Sequence, residues 1–181
     1  MEKLLWIDLE MTGLDVDKEV IIEIAVIVTD LEFNELENYH AIVKQPQSYL
    51  DSMDEWNKTH HGASGLTAQV PSGVDPDAVE EQLLALVDRH FPARNKGDFA
   101  VLAGNSIGTD RLFINKYFKR FAAKLHYRML DVTSWKILFK SKFNREYKKG
   151  DTHRAVADIR ESINELKHYL SCPVRARSTH C

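Results

Sequence analysis

Residues 20–30 (VIIEIAVIVTD) limit most what this chain can become. Their β-branched side chains are stiff at χ1 and fit a pleated surface better than a helix, so the run reads as a central strand. Leu4, Leu5, Trp6, Ile7 and Leu9 read as a short buried strand before it, and residues 36–44 as a third strand closing an antiparallel meander. A short helix is expected at residues 53–56. Residues 75–91 place Val79, Leu83, Leu86, Val87 and Phe91 on one helical stripe. A strand over 99–103 is expected next, then a helix over 107–121 burying Phe113, Ile114, Tyr117 and Phe121. A strand over 127–131 and a helix through Trp135, Ile137 and Leu138 follow, then a basic loop over 140–149. The last helix is expected over 152–170, with Ala155, Ile159, Ile163, Leu166 and Leu170 on its buried stripe. Three strands followed by alternating helix and strand predict an α/β fold, a mixed sheet of about five strands with helices on both faces.

Polar residues interrupt this pattern at the ends of elements. In residues 6–14 (WIDLEMTGL), Asp8 and Glu10 are two apart on a strand and so share a face. Like charges that close repel and lose hydration, and a hard divalent cation, Mg²⁺ or Mn²⁺, is the usual remedy. Taken alone, such a pair is as readily an exposed strand end. Residues 103–110 (AGNSIGTD) put Asp110 in the first turn of a helix, where it would also favour the helix dipole. Residues 152–162 (THRAVADIRES) set Asp158 beside an apolar stripe, a costly place for an unpaired acid. His153 lies about 140° round an ideal helix from Asp158, so the two meet only if His153 stands at or before the helix start. In residues 126–133 (HYRMLDVT), Arg128 could clamp a phosphate or pair with a surface acid.

Composition sets bounds on the partners. The 181 residues suit one domain, expected over 1–171 with a polar tail over 172–181. Net charge is −3 with pI ≈ 6.2, which argues against a long nucleic-acid footprint and leaves room for a small anionic substrate. No apolar run approaches the roughly 20 residues a membrane span needs. A strand at the very start leaves no room for a signal peptide, and Cys172 and Cys181 fall in the tail, so a cytoplasmic, reducing location is expected. A mitochondrial one follows if a transit peptide has been removed.

In this order and spacing, IDLEMTGL, MDEWN, HHGASGL, GNSIGTD, HYRMLDV and HRAVADIRES resemble the oligoribonucleases, DEDDh 3′-to-5′ exonucleases of the RNase H-like fold, from about Leu4 to Leu170. The resemblance implies that Asp8, Glu10, Asp110 and Asp158 hold two divalent ions, Mg²⁺ or Mn²⁺, and that His153 is the general base. Many members of that family carry a second acid where Ala157 stands here, and a long polar side chain in place of Thr109; neither change touches the four acids. The implied activity is hydrolysis of very short RNA, down to dinucleotides, to nucleoside 5′-monophosphates. Two cations roughly 3.5–4 Å apart would then activate the attacking water and stabilise the departing 3′ oxygen. The substrate-binding residues expected are Leu14 as a wedge, Trp56 and His61 against bases, and Ser106, Arg128 and Thr133 around a 5′ phosphate. Tyr127 would reach the neighbouring site of a homodimer. A DNA exonuclease of the same superfamily is the rival reading; it would share the acids but lack the HYR and MDEWN segments.

Overall fold

The computed structural model describes residues 2–92, 99–148 and 155–171. The meander forms as the sequence predicts: β1 (Lys3–Met11), β2 (Ile21–Asp30) and β3 (Glu35–Ile42) pair antiparallel in turn. Helices α1 (Gln47–Ser52), α2 (Glu55–Ala63) and α3 (Leu66–Gln69) then lead to the long α4 (Pro76–His90). Strand β4 (Ala100–Gly104) returns to lie parallel to β1, and β5 (Leu125–Asp131) lies parallel to β4. The sheet order is β3-β2-β1-β4-β5, five strands of mixed sense. Between β4 and β5 run α5 (Ile107–Tyr117) and α6 (Lys119–Ala122); α7 (Val132–Phe143) and α8 (Ala155–Ser171) follow.

Period-two alternation assigns the two faces of the sheet. Leu5, Ile7 and Leu9 of β1, with Ile24, Val26 and Val28 of β2, pack under Leu83 and Val87 of α4 and Phe113, Phe118 and Phe121 of the α5–α6 pair. Leu4 and Trp6, with Ala25 and Ile27, pack under Val132 and Phe139 of α7 and Ile159, Leu166 and Tyr169 of α8. Helices therefore cover both faces. Asp8 and Glu10 extend the row of Leu4 and Trp6, which aims them at α8.

Several boundaries differ from the sequence reading, each for a local reason. The helix expected over 107–121 breaks at Phe118 (φ −122, ψ 62), where Glu80 of α4 accepts from Arg120 N (2.8 Å) and Phe121 N (3.2 Å) and so starts α6. The short helix expected at 53–56 begins only after Asp54, whose side chain caps α2 by accepting from Asn57 N at 2.8 Å, while Met53 is buried. Leu170 is 51% exposed; Tyr169, at 1%, takes the inward slot because α8 turns by 3.6 residues rather than four. Helix α7 runs on to Phe143, shortening the loop expected over 140–149, and leaves Ile137 and Leu138 exposed.

Candidate functional site

The sheet and its last helix bring three acids together. Asp8 and Glu10 from β1 and Asp158 from the first turn of α8 are all half-buried, with carboxylate oxygens within 4.8 Å of one another. A bulge in the β1–β2 ladder falls between Glu10 and Met11, at the very end of the row. Burial first, then the charges of Glu23, Asp158 and Asp110, push the Glu10 carboxyl up to about 7. Asp110, on the other helical layer, is 7% exposed, and its Oδ1 accepts from the amide of Leu9, between the two β1 acids, at 3.0 Å. Burial raises it to about 7 against the pull of that hydrogen bond. Asp110 thus borders the cluster from behind the strand and is not one of the three that converge. Such acids resist ionising together unless a cation sits among them, and an all-oxygen donor set suits a hard divalent ion. His153, the expected base, lies outside the described residues.

A cleft opens beside Glu10, lined by Glu23, Trp56, His60, His61, Ser64 and Leu66. Trp56 is 64% exposed and stacks on His60 with ring centroids 3.8 Å apart, so its outer face is presented to solvent rather than to the core. His61 is buried. Its Nε2 donates to the Met11 carbonyl at 3.0 Å, which assigns the tautomer, and Nδ1 stands 4.0 Å from Glu10 Oε2. Burial lowers its pKa, so the ring is neutral at pH 7. His61 walls the cleft and holds the end of β1.

Leu14 is 77% exposed on a firmly tied loop. Thr12 Oγ1 accepts from Val20 N at 3.0 Å and donates to Glu19, while Lys116 Nζ of α5 donates to the Val16 carbonyl and Tyr117 OH to that of Glu19 (2.6 Å). Ser106 and Thr133 meet at the converging starts of α5 and α7. Ser106 N donates to Thr133 Oγ1 (2.8 Å) and Asp131 Oδ1 (3.0 Å), and the two hydroxyls lie 3.1 Å apart. Ser106 holds a left-handed backbone, φ 50, unusual for a non-glycine residue. Arg128, on edge strand β5, is exposed, forms no ion pair among the described residues, and rests its guanidinium 5.2 Å from the centre of the Tyr127 ring. Tyr127 itself is 74% exposed.

Sequence reasoning passed over two groups. Glu23 is 2% exposed on β2, directly opposite Glu10, and its Oε1 lies 2.5 Å from His40 Nε2. One acid inside an otherwise apolar strand was the available signal. Asn105, Ser162 and Glu165 form the other group, and Glu165 is wholly buried. Their signal was the recurrence of Asp158, Ser162, Glu165 and Tyr169 along one helix face.

Comparison with known proteins adds four findings. A family model described as exonuclease matches residues 5–166. The oligoribonuclease of Pseudomonas aeruginosa strain PAO1 is 46% identical over 173 residues, 93% of this chain and 94% of that protein. The human protein named oligoribonuclease, mitochondrial, is 43% identical over 174 residues, covering 93% of this chain and 72% of the relative. In fold, the chain superposes on Escherichia coli exonuclease I in complex with a dT13 oligonucleotide, with a TM-score of 0.71 at 15% identity. That match covers 94% of this chain and 41% of the exonuclease I chain, about two-fifths of its length.

Proposed function

The chain belongs to the exonuclease family and, within it, to the oligoribonucleases, and on that premise we propose that it hydrolyses very short RNA from the 3′ end to nucleoside 5′-monophosphates. The observation that carries this reading is the convergence of Asp8, Glu10 and Asp158 within 4.8 Å at the end of a buried strand. The donor set fits Mg²⁺ or Mn²⁺, with Asp110 as the fourth acid of the site. Bound there, such ions neutralise the acids and supply the positive charge that hydrolysis of a phosphodiester needs.

The chain's own groups do the rest. His153 takes a proton from the attacking water, whose oxygen bonds to phosphorus as the bond to the 3′ oxygen of the preceding nucleotide breaks; that oxygen leaves and is protonated. Leu14 wedges between bases, Trp56 offers a stacking face, and His61 shapes the wall of the 3′ subsite. Ser106, Arg128 and Thr133 close around a 5′ phosphate, so longer chains are excluded by shape. The exposed Tyr127 on edge strand β5 completes the neighbouring site of a homodimer. Residues 1–171 act as one exonuclease domain, a reading the family match over 5–166 supports. No helix among the described residues is long and apolar enough to cross a membrane, and the relatives include bacterial and mitochondrial proteins; cytoplasmic residence is the reading proposed here.

The test is a time course on end-labelled RNAs of two to seven nucleotides with Mg²⁺, Mn²⁺ or EDTA. Metal-dependent cleavage fastest on dinucleotides is expected. Equal efficiency at all lengths would remove the 5′ cap from the account, and activity in EDTA would remove the metal. For the dimer, a Tyr127→Ala chain mixed with an Asp8→Ala chain should regain activity at one of two sites; heterodimers that stay inert would show that the site is not shared.

A further inference from the structure

Asn105 stands between the candidate phosphate cap and the metal-ligand helix. Its Nδ2 donates to Ser162 Oγ (2.7 Å) and Glu165 Oε2 (3.2 Å), and its Oδ1 accepts from Thr133 Oγ1 (3.3 Å). Ser162 Oγ donates onward to the Asp158 carbonyl at 2.9 Å. Glu165 is 0% exposed, and its other oxygen accepts from Tyr169 OH at 3.0 Å. A buried acid is an expensive way to hold a loop, since an apolar side chain of similar size would pack without desolvation. What the carboxylate adds is direction. Both its oxygens accept, one of them from the NH₂ end of the Asn105 amide, and this turns Oδ1 towards Thr133.

That orientation has a chemical consequence. With its hydrogen committed to Asn105, the Thr133 hydroxyl can only accept, and it accepts from Ser106 N. Ser106 N is satisfied internally as well, by Asp131. The Ser106 hydroxyl, 3.1 Å from Thr133 Oγ1, then carries the one hydrogen of the pair not committed to Asn105. It donates to Thr133 at rest and is the donor of the pair that can turn to a ligand, presented from a left-handed backbone. Building on the reading of Ser106, Thr133 and Arg128 as a 5′-phosphate cap, we propose that Asn105 is a positioning residue that turns Thr133 inward and fixes Ser106 as the phosphate donor at a set distance from the metal ligands.

The experiment compares kcat/KM for a dinucleotide with and without its 5′ phosphate. In Asn105→Asp the buried acids repel and the polarity of the chain is lost. The ratio of the two values should fall about tenfold, the worth of one charge-assisted hydrogen bond, while the unphosphorylated substrate changes little. Adding Glu165→Gln reverses donor and acceptor and should restore the ratio to within about threefold of wild type. A merely structural role would lower both substrates together and so overturns the proposal, as does a double variant that folds without recovery. If Asn105→Asp does not fold, Glu165→Gln alone serves, because a neutral amide no longer dictates the orientation; an unchanged ratio there sinks the idea. Arg128→Ala separates the two levels of inference. A wild-type ratio near one, unmoved by Arg128→Ala, defeats the cap and this proposal with it. A high ratio that Arg128→Ala lowers and Asn105→Asp does not defeats this proposal alone.

Discussion

At the scale of single residues, Glu10 of β1 and Asp110 of α5 give the protein a pH dependence whose sign can be worked out. Glu10 is raised from 4.5 to about 7, and Asp110 from 3.8 to about 7, so the folded chain holds more protons than the unfolded one between those values. Without metal, the contribution of these two acids to stability is therefore full below their unfolded pKa values and is lost as pH rises towards 7. Divalent metal competes with those protons, so Mg²⁺ should raise the melting temperature far more at pH 8 than at pH 5, a comparison thermal denaturation makes directly. Equal gains at both pH values would place the metal elsewhere. Glu10→Gln should melt about 2–8 °C above wild type in EDTA at pH 8, while losing about a hundredfold or more in rate. A variant that melts below wild type would mean the Glu10 charge is not repelled in the fold.

Elements show what a sequence can and cannot disclose. The 20–30 run and the stripe of Val79, Leu83 and Val87 announced β2 and α4 because burial on one period leaves a one-dimensional trace. Asp8 and Glu10 were legible for the same reason, as charge where the period demands apolar side chains. The break at Phe118 was not, because its cause is Glu80, which lies 40 positions from Arg120 in the chain and is buried against the start of α6. The αL serine at 106 and the orientation of Asn105 were hidden likewise, since their partners sit on β5, α7 and α8. Glu80 accepts from two backbone amides and from Arg120 Nε at 2.8 Å, so Glu80→Ala leaves the buried Phe121 amide and the part-buried Arg120 amide without this acceptor. It should cost about 2–4 kcal/mol in urea denaturation with little change in kcat. A loss below about 0.5 kcal/mol would mean α6 is held by Phe118 and Phe121 alone.

The whole molecule carries net charge −3, and the substrate contacts proposed for it are a few groups rather than a basic track. The salt response should accordingly be shallow. With at most two phosphates engaged, log kcat/KM against log[KCl] at fixed metal should slope no more steeply than about −1.4, where grip on a long strand gives several times that. A steep slope would reveal an extended binding surface. The sheet order also has a consequence in time. The candidate metal cluster is built from β1 and from α8, the first and the last described elements, and α8 covers Trp6. A ribosome releasing this chain has delivered Asp8 and Glu10 long before Asp158. Until the final helix emerges the nascent protein holds an incomplete set of acids and an open apolar face. Synthesis must therefore reach α8 before the candidate cluster of acids can assemble.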